Sequence, residues 1–237
     1  PYYGTLGMRR VTTSPVDIVA EDDGDLYVLN RTDGEGGQIR LTNWDDEDLG
    51  DIGSGFIWPV QMIAGPDESL VVSDEGNHTI SFWAKDGTKI DSWGVHGTAT
   101  GELNRPSGIV FDTNGNLNVV DTLNHRVQKF TADGTYISSF GEHGGGDGQF
   151  DMPWGIDIDP DDSSIFISDW RNDRVQKFSA DGEYIAACSS NHYIYLFHRD
   201  SNVPLWSYET GSYLYSVAIS DDGEYIAAGG NDYRLYL

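Results

Sequence analysis

The sequence predicts an all-β protein built as a β-propeller, a ring of four-stranded antiparallel sheets called blades. Short runs of strand-type residues alternate with Asn-Gly and Asp-Gly pairs, which favour tight hairpins because both residues tolerate a positive φ. A proline precedes the first strand of each unit, at Pro15, Pro59, Pro106 and Pro153. The spacings of 44, 47 and 47 residues match the length of one blade, about 40–50 residues.

The third unit shows this pattern most clearly. Its predicted strands are Gly108–Phe111, Leu117–Asp121, Arg126–Thr131 and Tyr136–Phe140, and a glycine-rich loop follows them. The two units before it contain comparable runs, and the fourth unit begins at Gly155–Asp159. No run is long enough for a pair of helices, which excludes helical repeats of similar length.

Composition limits the size of the fold and its partners. The 237 residues are 38% hydrophobic, which is sufficient for a single all-β domain over residues 1–237. The net charge of −25 excludes nucleic acid and disfavours anionic membranes, because affinity for both comes from lysine and arginine. No apolar run approaches the roughly 20 residues that span a bilayer. Cys188 is the only cysteine, so no internal disulfide forms.

One phrase recurs almost unchanged in the third and fourth units. It reads DTLNHRVQKF at residues 121–130 and DWRNDRVQKF at residues 169–178. The linker between these copies contains Phe140-Gly141, Gly148-Gln149-Phe150 and Pro153-Trp154-Gly155-Ile156. Phrase and linker resemble NHL repeats, and the resemblance extends over residues 1–179. It implies a β-propeller, typically of six blades.

After Ser179 the pattern changes. ADGEYIAA at residues 180–187 returns as DDGEYIAA at residues 221–228, a spacing of 41 residues. Residues 180–237 resemble WD40-type or quinoprotein-like repeats, although the Gly-His and Trp-Asp dipeptides of typical WD40 blades are absent. The Asp181-Gly182 turn fits both patterns, which suggests an engineered or recombined NHL/WD40 chimera.

The two ends of the chain are expected to close the ring. Tyr2–Gly7 resembles a fourth NHL strand, and the carboxy-terminal repeat supplies three strands that lack a fourth. Pairing them would hide two sheet edges that otherwise invite aggregation. Six strands between Gly155 and Tyr208 make one overfull blade or two incomplete ones. We expect six blades, with five as the alternative, and either a monomer or self-association through an incomplete blade.

Several recurring polar residues are candidates for chemistry. His78 and His125 lie one repeat apart, as do His96 and His143, so a metal site at a common axis is conceivable. No third histidine completes a ring, and we predict solvated loop histidines and no metal site. The acidic runs at residues 45–48 and 159–162 lack the spacing of a calcium loop and are predicted to be turns. The aspartates and asparagines that recur once per blade are predicted to cap turns: Asp74, Asp121, Asp169, Asn77, Asn124 and Asn172.

The sequence shows no phosphate loop, nucleophile elbow or paired catalytic carboxylates. It therefore predicts a non-catalytic scaffold or protein-interaction module without cofactor or native substrate, with a protein or peptide as its partner. Trp58, Arg105 and Trp154 flank the linker prolines and are predicted to bind a ligand at the rim, because Trp and Arg are favoured in binding hot spots. The alternative is a metal-dependent (Zn or Ca) hydrolase or lyase with its site at the central channel, since some NHL-type propellers are zinc-dependent lyases.

Overall fold

A computed structural model describes the chain at residues 14–32, 36–43, 47–146, 149–159, 165–178, 184–188, 193–198, 204–211, 214–219, 226–230 and 235–236. These residues are organised into strands joined by tight turns. Two 3₁₀ turns, Thr122–Asn124 and Trp170–Asn172, are the helical elements in these ranges, and neither is long or apolar enough to cross a membrane. The strands are β1 (Pro15–Ala20), β2 (Asp25–Thr32), β3 (Gly36–Asn43), β4 (Asp48–Phe56), β5 (Pro59–Ala64), β6 (Leu70–Asp74), β7 (Thr79–Trp83), β8 (Lys89–Trp93), β9 (Pro106–Phe111), β10 (Leu117–Asp121), β11 (Arg126–Phe130), β12 (Tyr136–Phe140), β13 (Pro153–Ile158), β14 (Ile165–Asp169), β15 (Arg174–Phe178), β16 (Tyr184–Cys188), β17 (Tyr193–His198), β18 (Pro204–Glu209), β19 (Leu214–Ile219), β20 (Ile226–Gly230) and β21 (Leu235–Tyr236).

Within the described ranges the strands form six antiparallel sheets, each made of strands that follow one another in the chain. Blades 1, 2 and 3 have four strands each, β1–β4, β5–β8 and β9–β12. Blades 4, 5 and 6 have three each, β13–β15, β16–β18 and β19–β21. The all-β propeller prediction is confirmed, and the six sheets match the expected six blades.

The first strands of neighbouring blades face the middle of the ring. β1 contacts β5, β5 contacts β9, and β9 contacts β13. β1 also contacts β19 and β20, which joins blade 6 to blade 1. The predicted closing strand Tyr2–Gly7 lies outside the described residues. The six strands between Gly155 and Tyr208 form two three-stranded sheets, as in the alternative of two incomplete blades, and self-association through them stays a prediction.

The core lies between the blades. The second strands β6 and β10 are buried along their whole length, because sheets pack against both of their faces. One apolar cluster joins blades 1 and 2, a second joins blades 2 and 3, and a third joins blades 3 and 4. Representative buried members of these clusters are Leu29, Phe130 and Phe150. This packing holds the strand ends, and the loops that they carry, in a fixed arrangement.

Candidate functional site

Two linkers of equal length cross one end of the ring, which we call the loop face. Linker 2–3 is residues 94–105, between β8 and β9, and linker 3–4 is residues 141–152, between β12 and β13. Each linker folds back on itself through an isolated bridge, His96 with Leu103 and His143 with Phe150. The turns β6–β7, β10–β11 and β14–β15 reach the same face, because antiparallel strands alternate in direction.

A buried aspartate anchors each linker. The Asp121 carboxylate accepts hydrogen bonds from the backbone N–H of Asn104 at 2.6 Å and from the side chains of Asn124, Arg126 and Gln128. Asp169 does the same one blade later, for the backbone N–H of Asp151 and the side chains of Asn172, Arg174 and Gln176. These contacts agree with the predicted structural role of the recurring aspartates and asparagines.

A histidine ends each of the turns that face these linkers. His78 and His125 adopt the left-handed conformation, with φ of 58° and 54°, which histidine tolerates better than most residues. His78 Nδ1 accepts a hydrogen bond from the Arg105 N–H at 3.0 Å, and His125 Nδ1 accepts one from the Met152 N–H at 3.1 Å. Both rings are therefore fixed in orientation, with an unprotonated Nδ1 facing the linker.

The histidines pair within a repeat rather than between repeats. The ring centroids of His78 and His96 lie 4.2 Å apart, and those of His125 and His143 lie 4.4 Å apart. Burial first, and then the neighbouring ring, lower the pKa of His78 and of His125. The sequence comparison missed this pairing because it aligned equivalent positions. The constant separation of 18 residues within each pair is the signal that could have revealed it.

One of the two pairs also contacts a carboxylate. Asp151 Oδ1 lies 3.7 Å from His125 Nδ1 and 3.8 Å from His143 Nε2. The ligand atoms of these three residues all fall within 4.8 Å of one another, which makes the group capable of holding a metal ion. In linker 2–3 the residue at the position of Asp151 is Asn104. The sequence analysis did not single out Asp151.

The predicted rim residues lie on the loop face. Trp58 is 47% exposed, and the Arg31 guanidinium stacks over its ring at 4.4 Å. Trp154 is half-buried and packs edge-on against Trp170, with ring centroids 6.0 Å apart. The structure places these side chains at the starts of β5 and β13, beside the middle of the ring. Their role in ligand binding stays a prediction.

Arg105, the third rim residue, lies beside a buried carboxylate that the sequence analysis missed. Arg105 Nε lies 2.5 Å from Glu75 Oε1, and Glu75 is only 2% exposed. Glu75 directly follows β6 and Arg105 directly precedes β9, so the pair lies between blades 2 and 3. The available signal was a glutamate placed immediately after a strand that ends in the anchoring residue Asp74.

The second oxygen of Glu75 is an exception among the buried polar atoms. Oε2 is buried and has no hydrogen-bond partner among the described residues. Burial raises the pKa of Glu75, and the charge of Arg105 opposes that rise only in part. A buried carboxyl oxygen without a partner points to a water, an ion or a substrate group at that place. A carboxyl with a raised pKa is suited to proton transfer near neutral pH.

The acidic runs show no convergent ligand set in the described residues. Asp48 and Asp51 both pair with Arg40 on the outer strands of blade 1. Asp45, Asp46, Asp161 and Asp162 lie outside the described residues. The prediction that these runs are turns is therefore tested only in part.

Comparison with known families matches two parts of the chain. The NHL repeat model matches residues 103–130, and the model described as WD domain, G-beta repeat matches residues 202–237. No curated protein matches the chain. The two resemblances drawn from the sequence are confirmed, whereas the recombination of the two halves stays untested.

Solved structures share the fold along almost the whole chain. A streptogramin B lyase covers 98% of this chain and 84% of its own, with a TM-score of 0.62 and 13% identity. A catalytically inactive virginiamycin B lyase from Staphylococcus aureus with quinupristin covers 98% and 86%, with a TM-score of 0.61 and 12% identity. A proposed 6-phosphogluconolactonase from Bacteroides uniformis covers 93% and 79%, with a TM-score of 0.60 and 15% identity.

These matches contradict the predicted non-catalytic scaffold. Two of these similar propellers are lyases and one is a proposed lactonase, so the alternative of an enzyme agrees with them better. The scaffold prediction came from the lack of a sequence motif, and a propeller site assembled from separate blades leaves no contiguous motif. At 12–15% identity the likeness shows the fold alone. The chain is a β-propeller that carries an NHL repeat at residues 103–130 and a WD40 repeat at residues 202–237.

Proposed function

We propose that this propeller is a lyase or hydrolase whose site lies at the loop-face end of the central channel, with Glu75 as the general acid–base group. The observation that carries the proposal is the buried Glu75 carboxyl, which has one oxygen on Arg105 and one oxygen without a partner among the described residues. A lyase needs a base to remove a proton, and a hydrolase needs one to activate water. One carboxyl with a raised pKa supports either reaction.

The surroundings of Glu75 fit an anionic or aromatic substrate. Arg105 is exposed over 44% of its side chain, so it can pair with Glu75 and still present guanidinium donors to solvent. Arg31 lies close enough to influence Glu75, and its guanidinium covers the ring of Trp58. Two arginines beside one tryptophan supply planar donors and a stacking surface, in a protein of net charge −25.

The substrate class is taken from the similar propellers, which are named for lyase and lactonase activities. Quinupristin is the compound present with the inactive virginiamycin B lyase, and the other name specifies 6-phosphogluconolactone. These two compounds are the probes for a direct test. Each is incubated with the full chain, and its conversion is followed by mass spectrometry.

Replacement of Glu75 by glutamine tests the role of the carboxyl. Glu75→Gln keeps the shape of the side chain but removes its proton-transfer capacity, so we expect conversion of the accepted probe to fall by about 10²–10⁴-fold. Glu68→Gln is the matched control, because Glu68 is exposed in the β5–β6 turn at the opposite end of blade 2. Conversion of neither probe by the unaltered chain, or full activity in Glu75→Gln, would contradict the proposal.

The rim prediction is tested with the same assay. Trp58→Ala removes the stacking surface beside Arg31, and we expect it to raise KM several-fold with a smaller effect on kcat, since Trp58 contacts the substrate without transferring a proton. Trp93→Ala, on the last strand of the same blade, serves as the control for general destabilisation. Equal kinetic effects from both variants would count against a binding role for Trp58.

A further inference from the structure

We propose that His125, His143 and Asp151 form a binding site for a divalent metal of the Zn²⁺ type. The site lies on the loop face between blades 3 and 4, one blade away from Glu75. It goes beyond the proposed function, because it is defined by metal binding and holds whether or not the chain converts either probe. Two imidazoles and one carboxylate are the donor set of catalytic zinc sites, in which a water molecule fills the fourth position.

The distances fit a small closure around an ion. Bonds of about 2.0–2.2 Å in a tetrahedral site place ligand atoms roughly 3.4 Å apart. Asp151 Oδ1 already lies 3.7 Å from His125 Nδ1 and 3.8 Å from His143 Nε2. His143 is exposed over 68% of its side chain, so its ring can rotate by the few tenths of an ångström that remain.

The protonation of His125 also suits a metal ligand. Nδ1 accepts the Met152 N–H, so its lone pair is available without loss of a proton from the ring. An ion at this place would replace the Met152 N–H as the partner of Nδ1. The left-handed backbone of His125, and the packing of its ring against His143, hold that lone pair toward linker 3–4.

Asp151 provides a carboxylate that is fixed at its backbone and available at its side chain. Its N–H donates to the buried Asp169 at 2.8 Å, and its carbonyl accepts the N–H of Arg171 at 3.0 Å. Within the described part of the chain, its carboxylate has the two histidines as charged neighbours and accepts no hydrogen bond. Anchoring of the backbone fixes the position from which the carboxylate reaches both rings.

Linker 2–3 is an internal comparison for this inference. His78 and His96 pair in the same way, and His78 caps the Arg105 N–H, so a structural role explains that pair completely. The same role explains His125, but it does not explain a carboxylate between two histidines. Asn104 offers only a neutral amide oxygen at the equivalent place, and Zn²⁺ prefers carboxylate, imidazole and thiolate ligands. We therefore assign metal binding to linker 3–4 alone.

The test is titration of the metal-stripped full chain with Zn²⁺ by calorimetry, and with Co²⁺ by visible absorption. We expect one high-affinity equivalent per chain and a tetrahedral Co²⁺ spectrum. Asp151→Asn and His143→Ala should each weaken binding by 10-fold or more. His96→Ala, the matched change in linker 2–3, should leave the affinity unchanged.

Three results would overturn the inference: no stoichiometric binding by the unaltered chain, unchanged affinity in Asp151→Asn, or unchanged affinity in His143→Ala. Asp151→Asn keeps the backbone bond to Asp169, so the variant is expected to fold, and circular dichroism checks this. Because the readout is metal affinity, failure here leaves the assignment of Glu75 standing, and inactivity of Glu75→Gln leaves the metal site standing.

Discussion

Linkers 2–3 and 3–4 are two copies of one structural device, and only the second has the donors of a metal site. Both span 12 residues, fold back through one bridge, hang from a buried aspartate and place two histidine rings in contact. They differ at the residue before the last, Asn104 in one and Asp151 in the other. The comparison teaches that the repeat supplies the geometry and a single side chain supplies the chemistry.

The largest effect is expected from removal of the anchors that both linkers share. Asp121→Ala and Asp169→Ala each leave a partly buried arginine, Arg126 or Arg174, without its carboxylate. Breaking a buried ion pair from one side costs about 3–5 kcal/mol. The free energy of unfolding, measured with urea, should therefore fall by a similar amount in both variants.

Asp133→Ala is the control for that loss, because Asp133 is exposed in the β11–β12 turn. It should cost less than about 1 kcal/mol, as surface changes usually do. A small cost for Asp121→Ala or Asp169→Ala would mean that the anchors are not equivalent, and the comparison of the linkers would lose its basis.

The second effect separates the strands into which the linkers lead. Asp157 in β13 occupies the place of Val110 in β9, four residues after the linker proline. Burial raises the pKa of Asp157 from 3.8 to about 6. The folded chain therefore binds this proton more tightly than the unfolded chain does, and the resulting stability is present below pH 3.8 and is lost as the pH rises through 6.

Asp157→Asn removes this pH dependence. Relative to the unaltered chain, it should gain stability as the pH rises from about 4 to 7, by no more than about 3 kcal/mol at neutral pH. Thermal unfolding at both pH values measures the gain, and Asp91→Asn on the exposed strand β8 should show none. A gain at pH 4 that equals the gain at pH 7 would show that the carboxyl is not the cause.

The smallest effect tests whether the two histidine caps are equal without metal. His78→Ala and His125→Ala each leave one linker N–H without its acceptor, at a cost of about 1–2 kcal/mol. With a chelator present, urea midpoints of the two variants should agree closely. A clearly greater loss for His125→Ala under these conditions would show that linker 3–4 differs in structure as well as in chemistry.

The fold was predictable because it repeats. Period, hairpin turns and alternation are local properties, and a pattern that recurs at Pro15, Pro59, Pro106 and Pro153 averages out local ambiguity. The number of strands in blades 4 and 5 was left open for the opposite reason. Where the repeat pattern changes after Ser179, spacing no longer predicts which strand begins a new blade.

The candidate site was much less predictable. Repeat alignment compares equivalent positions in different blades, whereas His125, His143 and Asp151 come from two loops that meet only in the folded ring. Glu75 was missed since its burial depends on Arg105, which is 30 residues away across a blade interface. Trp58, Arg105 and Trp154 were placed on the correct face because the linker proline fixes where each blade begins.

The reciprocal exchange of the two linker residues tests the central claim most directly. In the double variant Asn104→Asp with Asp151→Asn, the metal-binding carboxylate moves from linker 3–4 to linker 2–3 while the net charge stays the same. The measurement is Zn²⁺ stoichiometry of this variant and of its His96→Ala and His143→Ala derivatives. The account predicts one equivalent that is lost with His96→Ala and kept with His143→Ala. Binding that is absent from the double variant, or that still depends on His143, would contradict it.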